Sequence, residues 1–208
     1  MEQNSQTRQK SDGFIAIDIV LLPPDEVMKR AIDMNRVLSE KYDNGITLRP
    51  DKCMPHITLA MGCIRKSDID QIASQMEEIS YKFANVELEV EGGGSKKAWF
   101  KIVPEKYLQL MHESVMTGLF KFFSYNVKKE MFYSEGDESI NDLTVSYVER
   151  FPMESSFEGF TPHITVGSCE IDEEIEGFHF VASKLALCHL GNFCTCRRIL
   201  RSFNLVKA

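Results

Sequence analysis

The chain has 208 residues, an apolar share of 43% and a charged share of 26%, a balance ordinary for a soluble globular protein with one large core or two small lobes. A net charge of −7 speaks against a grip on long RNA or DNA, which takes a basic surface, and no long duplex partner is expected. No apolar run approaches the roughly 20 residues of a membrane helix, so no membrane partner is expected either.

Residues 1–12 are polar, mixed in charge and without the apolar stretch of an export signal, and read as a disordered tail. Phe14 to Leu22 is rich in β-branched residues and reads as a buried strand. Pro23-Pro24-Asp25 opens a helix whose apolar positions recur from Val27 to Leu38, and Asp43-Asn44-Gly45 stops it with a left-handed glycine. A strand follows from His56 to Gly62. Ser67 is the expected cap of a second helix with Ile69, Ile72, Ala73, Met76 and Ile79 on one face. Val86–Val90 and Lys97–Val103, around Gly92-Gly93-Gly94, read as a hairpin.

After Pro104 the stripe Leu108, Met111, Val115, Leu119, Phe122 and Phe123 predicts a helix. Residues 134–141 form an acidic loop, the alternation over Leu143–Val148 predicts a strand, and Phe178–Leu190 and Arg198–Val206 read as two closing strands. Strand, helix and hairpin thus occur on both sides of about residue 105. The expectation is an internal duplication within a single domain over 13–208, with halves near 13–104 and 105–208.

One tetrapeptide occurs twice: Pro55-His56-Ile57-Thr58 and Pro162-His163-Ile164-Thr165. Side chains alternate across a strand, so His56 and Thr58 share one face while Ile57 turns to the core, and His163 and Thr165 do the same around Ile164. Histidine is the one unperturbed side chain that serves near pH 7 as either proton acceptor or donor. Two such faces meeting across a cleft would supply a base and an acid on opposite sides of phosphorus, with the threonine hydroxyls on its non-bridging oxygens. A strained 2′,3′-cyclic phosphate needs no metal or other cofactor for that chemistry.

The remaining histidines and cysteines read more blandly. His112 lies one residue off its helix stripe and reads as a surface or boundary side chain, while His179 and His189 sit in late strands. Six cysteines without a framework spacing read as reduced thiols of a cytoplasmic protein. Cys188, His189, Cys194 and Cys196 lack paired zinc-ligand spacing, so no metal is expected. Trp99 is a core aromatic or a platform for a base. Lys96, Lys97, Arg150, Arg197 and Arg198 compete for the role of cleft cation.

From Phe14 to Val206, in motif content and element order, the chain resembles the 2H phosphoesterases, the group that includes the 2′-5′ RNA ligase / RNA cyclic phosphodiesterase proteins. The resemblance implies a bilobal α+β fold: pseudo-twofold duplicated lobes, antiparallel sheets lining a central cleft and helices outside. It also implies that His56 and His163 are the acid–base pair and that Thr58 and Thr165 hold the phosphate. The implied reaction is hydrolysis of a 2′,3′-cyclic phosphate or a 2′-5′ bond in a nucleotide or RNA end. A non-catalytic nucleotide or RNA-end binding module, and RNA end joining on the same cleft, are the alternatives.

Overall fold

A computed structural model describes residues 13–206; the tail expected over 1–12 lies outside them. Strand β1, Phe14–Leu22, is buried along nearly its whole length because it lies inside a sheet with both faces covered. Helix α1, Asp25–Lys41, follows Pro24, whose missing N–H costs nothing at a helix start. Asp25 and Glu26 in its first turn and Lys41 in its last both complement the helix dipole. The helix ends at an extended Tyr42 instead of a left-handed glycine. Gly45 has no positive φ; it is small because a Cβ there would stand 2.9 Å from the Phe193 ring.

Strand β2, Ile57–Arg65, leads through a short turn to α2, Ile69–Ser80, so that Asp68 and not Ser67 stands at the helix start. Its buried residues Ile72, Ala73, Met76 and Ile79 are those the periodicity marks. Then come β3, Val86–Val90, β4, Gly93–Lys101, and α3, Lys106–Leu119, whose first turn is capped by Glu105 accepting from the Leu108 N–H at 2.9 Å.

The strand expected over Leu143–Val148 is instead part of α4, Asp142–Glu154. The Asn141 side chain accepts from the Thr144 N–H at 2.6 Å and caps it, and Thr144, Val148 and Phe151 turn inward at helical spacing. A six-residue window fits both periods. The cap and Phe151, just outside it, decide for helix, and Leu143 is left 79% exposed.

Strands β5, His163–Ile175, β6, Phe178–Ala182, β7, Lys184–Leu190, and β8, Cys196–Asn204, complete the fold. The expected β3–β4 hairpin does not form: β3 pairs with β6 in a separate two-stranded sheet and β4 pairs with β5, leaving only the bridge Val90↔Ile102 between them. The long run 178–190 breaks at Ser183 because its two parts serve different sheets. Both corrections have one cause: alternation marks a strand without naming its partner.

The main sheet is antiparallel in the order β4-β5-β2-β1-β7-β8, and with the helices it makes the α+β architecture. Strands of both chain halves interleave in it. The block β4-β5 meets the block β2-β1-β7-β8 through one pair, Ile57↔Ile164. One continuous core draws on all four helices and both sheets. Val20, Leu22, Met54, Ala186, Cys188 and Cys196 form a smaller cluster. Within it Cys188 and Cys196 are joined as a disulfide, Cα atoms 5.6 Å apart, so not all six cysteines are free thiols as expected. Strand pairing brings them together; their spacing along the chain carries no such signal. No helix is long and apolar enough to cross a membrane among the described residues.

Candidate active site

The pairing Ile57↔Ile164 is central to the site. Continued one residue each way, an antiparallel register sets His56 opposite Thr165 and Thr58 opposite His163. A bulge opposite Ile19/Val20 makes Leu59 the extra residue of β2, so Thr58 and Met61 face the same cleft despite their odd separation. His56, Thr58, Trp99, His163 and Thr165 all line one cavity of about 540 Å³. Thus both motif histidines, both motif threonines and Trp99 reach the same opening.

Both imidazoles are held in the same way. His56 Nδ1–H donates to the Met54 carbonyl at 2.7 Å, and His163 Nδ1–H donates to the Thr161 carbonyl at 2.8 Å. A carbonyl only accepts, so the proton sits on Nδ1 in each ring and Nε2 is the atom left for chemistry. Pro55 and Pro162 stand between carbonyl and imidazole, their fixed φ helping to hold that geometry.

Beneath the first motif lies Asp18, fully buried in β1. Its Oδ2 accepts from Thr58 Oγ1 at 2.7 Å and stands 3.4 Å from His56 Nε2. The two histidines therefore differ. Burial works against the charged form of His56, but the hydrogen bond and charge of Asp18 outweigh it and hold the imidazole above its ordinary range. Burial also disfavours a charge on His163; with His56 and Lys97 nearby it falls to about 4 despite the Thr161 carbonyl.

Trp99 pairs with Thr165 across β4 and β5, half-buried, its ring 4.5 Å from that of His163. Lys97 Nζ lies 4.3 Å above the Trp99 ring and lines the cavity. Of the competing cations, Arg150 pairs with Glu154 and Arg197 with Glu138, and neither they nor Lys96 and Arg198 line the cavity. The opposite wall comes from α4 and the turn before β8: Leu143, Tyr147, Phe151 and Phe193. The misread segment 143–148 thus supplies part of the apolar side of the site, Leu143 and Tyr147.

His112 corrects another expectation. It is wholly buried, not at the surface: Nδ1–H donates to the Leu59 carbonyl at 2.6 Å, and Nε2 accepts from the Phe157 N–H at 2.7 Å. Its ring stacks on Phe160 at 4.1 Å, so it ties β2 to the segment leading into Pro162. The exposed His179 and the half-buried His189, bonded to the Met131 carbonyl, do not line the cavity. Asp18 went unread in the sequence, although it is the one charged residue in an otherwise apolar nine-residue strand. Among the described residues no group of three or more His, Cys, Asp or Glu is placed to hold a metal ion.

With this geometry the chain has the fold of the LigT-like phosphoesterases, the class that the two motifs lead one to expect. TT0787 of Thermus thermophilus matches with a TM-score of 0.62 and 14% identity over 93% of this chain and 99% of that one. E. coli LigT complexed with NADP+ matches at 0.55 and 12% over the same shares, and a phosphoesterase at 0.52 and 10%. At such identities the likeness is one of fold. LigT itself has also been solved with 3′-AMP, with ATP and with phosphate. No family model and no curated protein matches the chain.

Proposed function

We propose that the cleft hydrolyses a 2′,3′-cyclic phosphate or a related RNA-type diester, 2′-5′ linkages included, by acid–base catalysis between His163 and His56. The observation that carries this reading is the matched pair of Nδ1–H anchors on two imidazoles that line one cavity, each with Nε2 free of a backbone partner. Their unequal surroundings divide the work. His163, held neutral, takes a proton from water as its oxygen bonds to phosphorus. His56, held charged, gives its Nε2 proton to the ribose oxygen as that P–O bond breaks. The products are a phosphomonoester and a free ribose hydroxyl, and proton exchange with solvent restores both rings. Thr165 and Lys97, which line the cavity, would meet the non-bridging oxygens, and Trp99 would offer a face for the base. The complexes of LigT with 3′-AMP and phosphate support a nucleotide phosphate as the ligand class.

The test is a panel of the four 2′,3′-cyclic nucleotides with 2′-5′ oligoadenylate. At least one is opened, and EDTA leaves the rate unchanged. Binding without turnover across the panel would turn the reading toward a nucleotide-binding module; rates lost to EDTA would end the metal-free scheme.

The pH profile follows from the two histidines. The base works only while neutral, so the rate falls as pH drops through the His163 value of about 4. The acid works only while protonated, so the rate falls as pH rises through the His56 value, which lies above 6.5. A bell with its alkaline limb above pH 6.5 is expected in kcat/KM against pH. A rate independent of pH from 4 to 9 would contradict it.

A further inference from the structure

We propose that Asp18 is the positioning residue that makes the two histidines unequal: its buried carboxylate, beside His56 Nε2 and bonded to Thr58, holds the first-motif histidine in its proton-donating form. The inference rests on the reading of the cleft as a two-histidine site and says which feature of the fold assigns the roles.

Four observations carry it. Asp18 is fully buried between Ile17 and Ile19 in a central strand, where an ionised carboxylate gives up its hydration. Nothing in the strand's pairing calls for it, since the backbone of β1 is bonded to β2 and β7 on its two sides. Among the described residues its side-chain polar contacts are solely with the first motif. Oδ2 meets Thr58 Oγ1 at 2.7 Å and His56 Nε2 at 3.4 Å, while Oδ1 is buried with no hydrogen-bond partner. The second motif has no such partner: neither His163 nor Thr165 touches a carboxylate by hydrogen bond or ion pair among the described contacts.

The titratable groups facing this trio come from every side. His163 on β5 and Lys97 on β4 bring positive charge or none, and Tyr147 on α4 and Cys194 before β8 are held protonated by burial. Glu154, the carboxylate on the α4 wall of the cavity, is paired with Arg150. Asp18 is therefore the negative charge that His56 meets. Burial raises the acid's own range, and His56 and Thr58 draw it back down, as a coupled pair requires. Thr58 spends its one hydroxyl proton on Asp18, so its cleft-facing lone pairs cannot donate to phosphate while Asp18 is ionised. In this arrangement Thr165 is the threonine free to donate.

The experiment is the D18N variant, read in two ways. In kcat/KM against pH, the alkaline limb moves to lower pH while the acid limb stays, and turnover at pH 8 falls about tenfold, the deficit narrowing toward pH 5. By NMR in the free protein, the His56 ring titrates above the His163 ring in the wild type, and D18N lowers the His56 midpoint only. An unmoved alkaline limb, an unmoved His56 midpoint, or a wild-type His163 titrating above His56 would overturn the proposal. Should D18N not fold, the carboxyl carbon of Asp18 is followed in the wild type. A step coincident with the His56 titration is expected, and its absence overturns the proposal. The ring titrations need no substrate. A protein that opens no cyclic phosphate therefore refutes the hydrolase reading without touching this one.

Discussion

Replacing either His56 or His163 by alanine lowers the turnover of a 2′,3′-cyclic phosphate by roughly 10² to 10⁴, the usual worth of one general acid or base. The double variant falls little further, because a displacement that needs both proton transfers is already halted by losing one. Affinity for a nucleotide monophosphate, read by titration calorimetry, changes far less than the rate. Either single variant retaining more than about a tenth of wild-type turnover would end the paired mechanism. The two variants also separate on stability. H163A removes a half-buried ring with one hydrogen bond, whereas H56A strips Asp18 of the positive charge beside it. A buried carboxylate without that partner is costly, so H56A has the lower Tm, and the gap closes at low pH as Asp18 takes up a proton. The sign follows from the shift: Asp18 sits above its ordinary range, so neutralising it as pH falls relieves the folded state first.

Asn35→Ala destabilises the fold by about 3–5 kcal/mol, since each orphaned buried polar group costs about 1–3 kcal/mol. Asn35 is buried on α1 and bridges three backbone groups. Its Nδ2 donates to the Ile46 and Val166 carbonyls, both at 2.9 Å, and its Oδ1 accepts from the Leu48 N–H at 3.0 Å. Alanine leaves all three unpaired. The amide also seats the irregular segment before Pro55 and the residue after Thr165, so it holds the approaches to both motifs. Urea unfolding gives the measurement, and a loss under about 1 kcal/mol would mean that water satisfies these groups instead. Leucine at this position should be no milder, because it adds bulk and restores no partner.

What could be read from the chain alone was local or repeated. Ile72, Ala73, Met76 and Ile79 mark α2 by period, and Leu108, Met111, Val115 and Leu119 mark α3; the structure buries them all. The duplicated Pro-His-Ile-Thr pointed to both strands of the site because it carries chemistry, face and half-chain spacing together. Where the chain misled, the missing information was non-local. Leu143–Val148 alternates well enough for a strand until Asn141 and Phe151 are counted. Val86–Val90 is a strand, but its partner lies beyond residue 177, past both remaining helices. His112 looked peripheral on its own helix, and only the arrival of Leu59 and Phe157 from other elements encloses it.

The amino-acid order by itself determined which groups this protein could bring to a cleft: two histidines, two threonines, a tryptophan and a choice of cations. Pattern and residue type suffice for that, because each is a property of a short stretch. Tertiary structure decided that Lys97 is the lysine at the cleft, that α4 forms its apolar wall, and that Cys188 and Cys196 lie bonded on adjacent strands. It also decided that the two imidazoles are unlike. Proton affinity depends on burial and on charges a few ångströms away, and the carboxylate beside His56 comes from a strand that no local pattern joins to it.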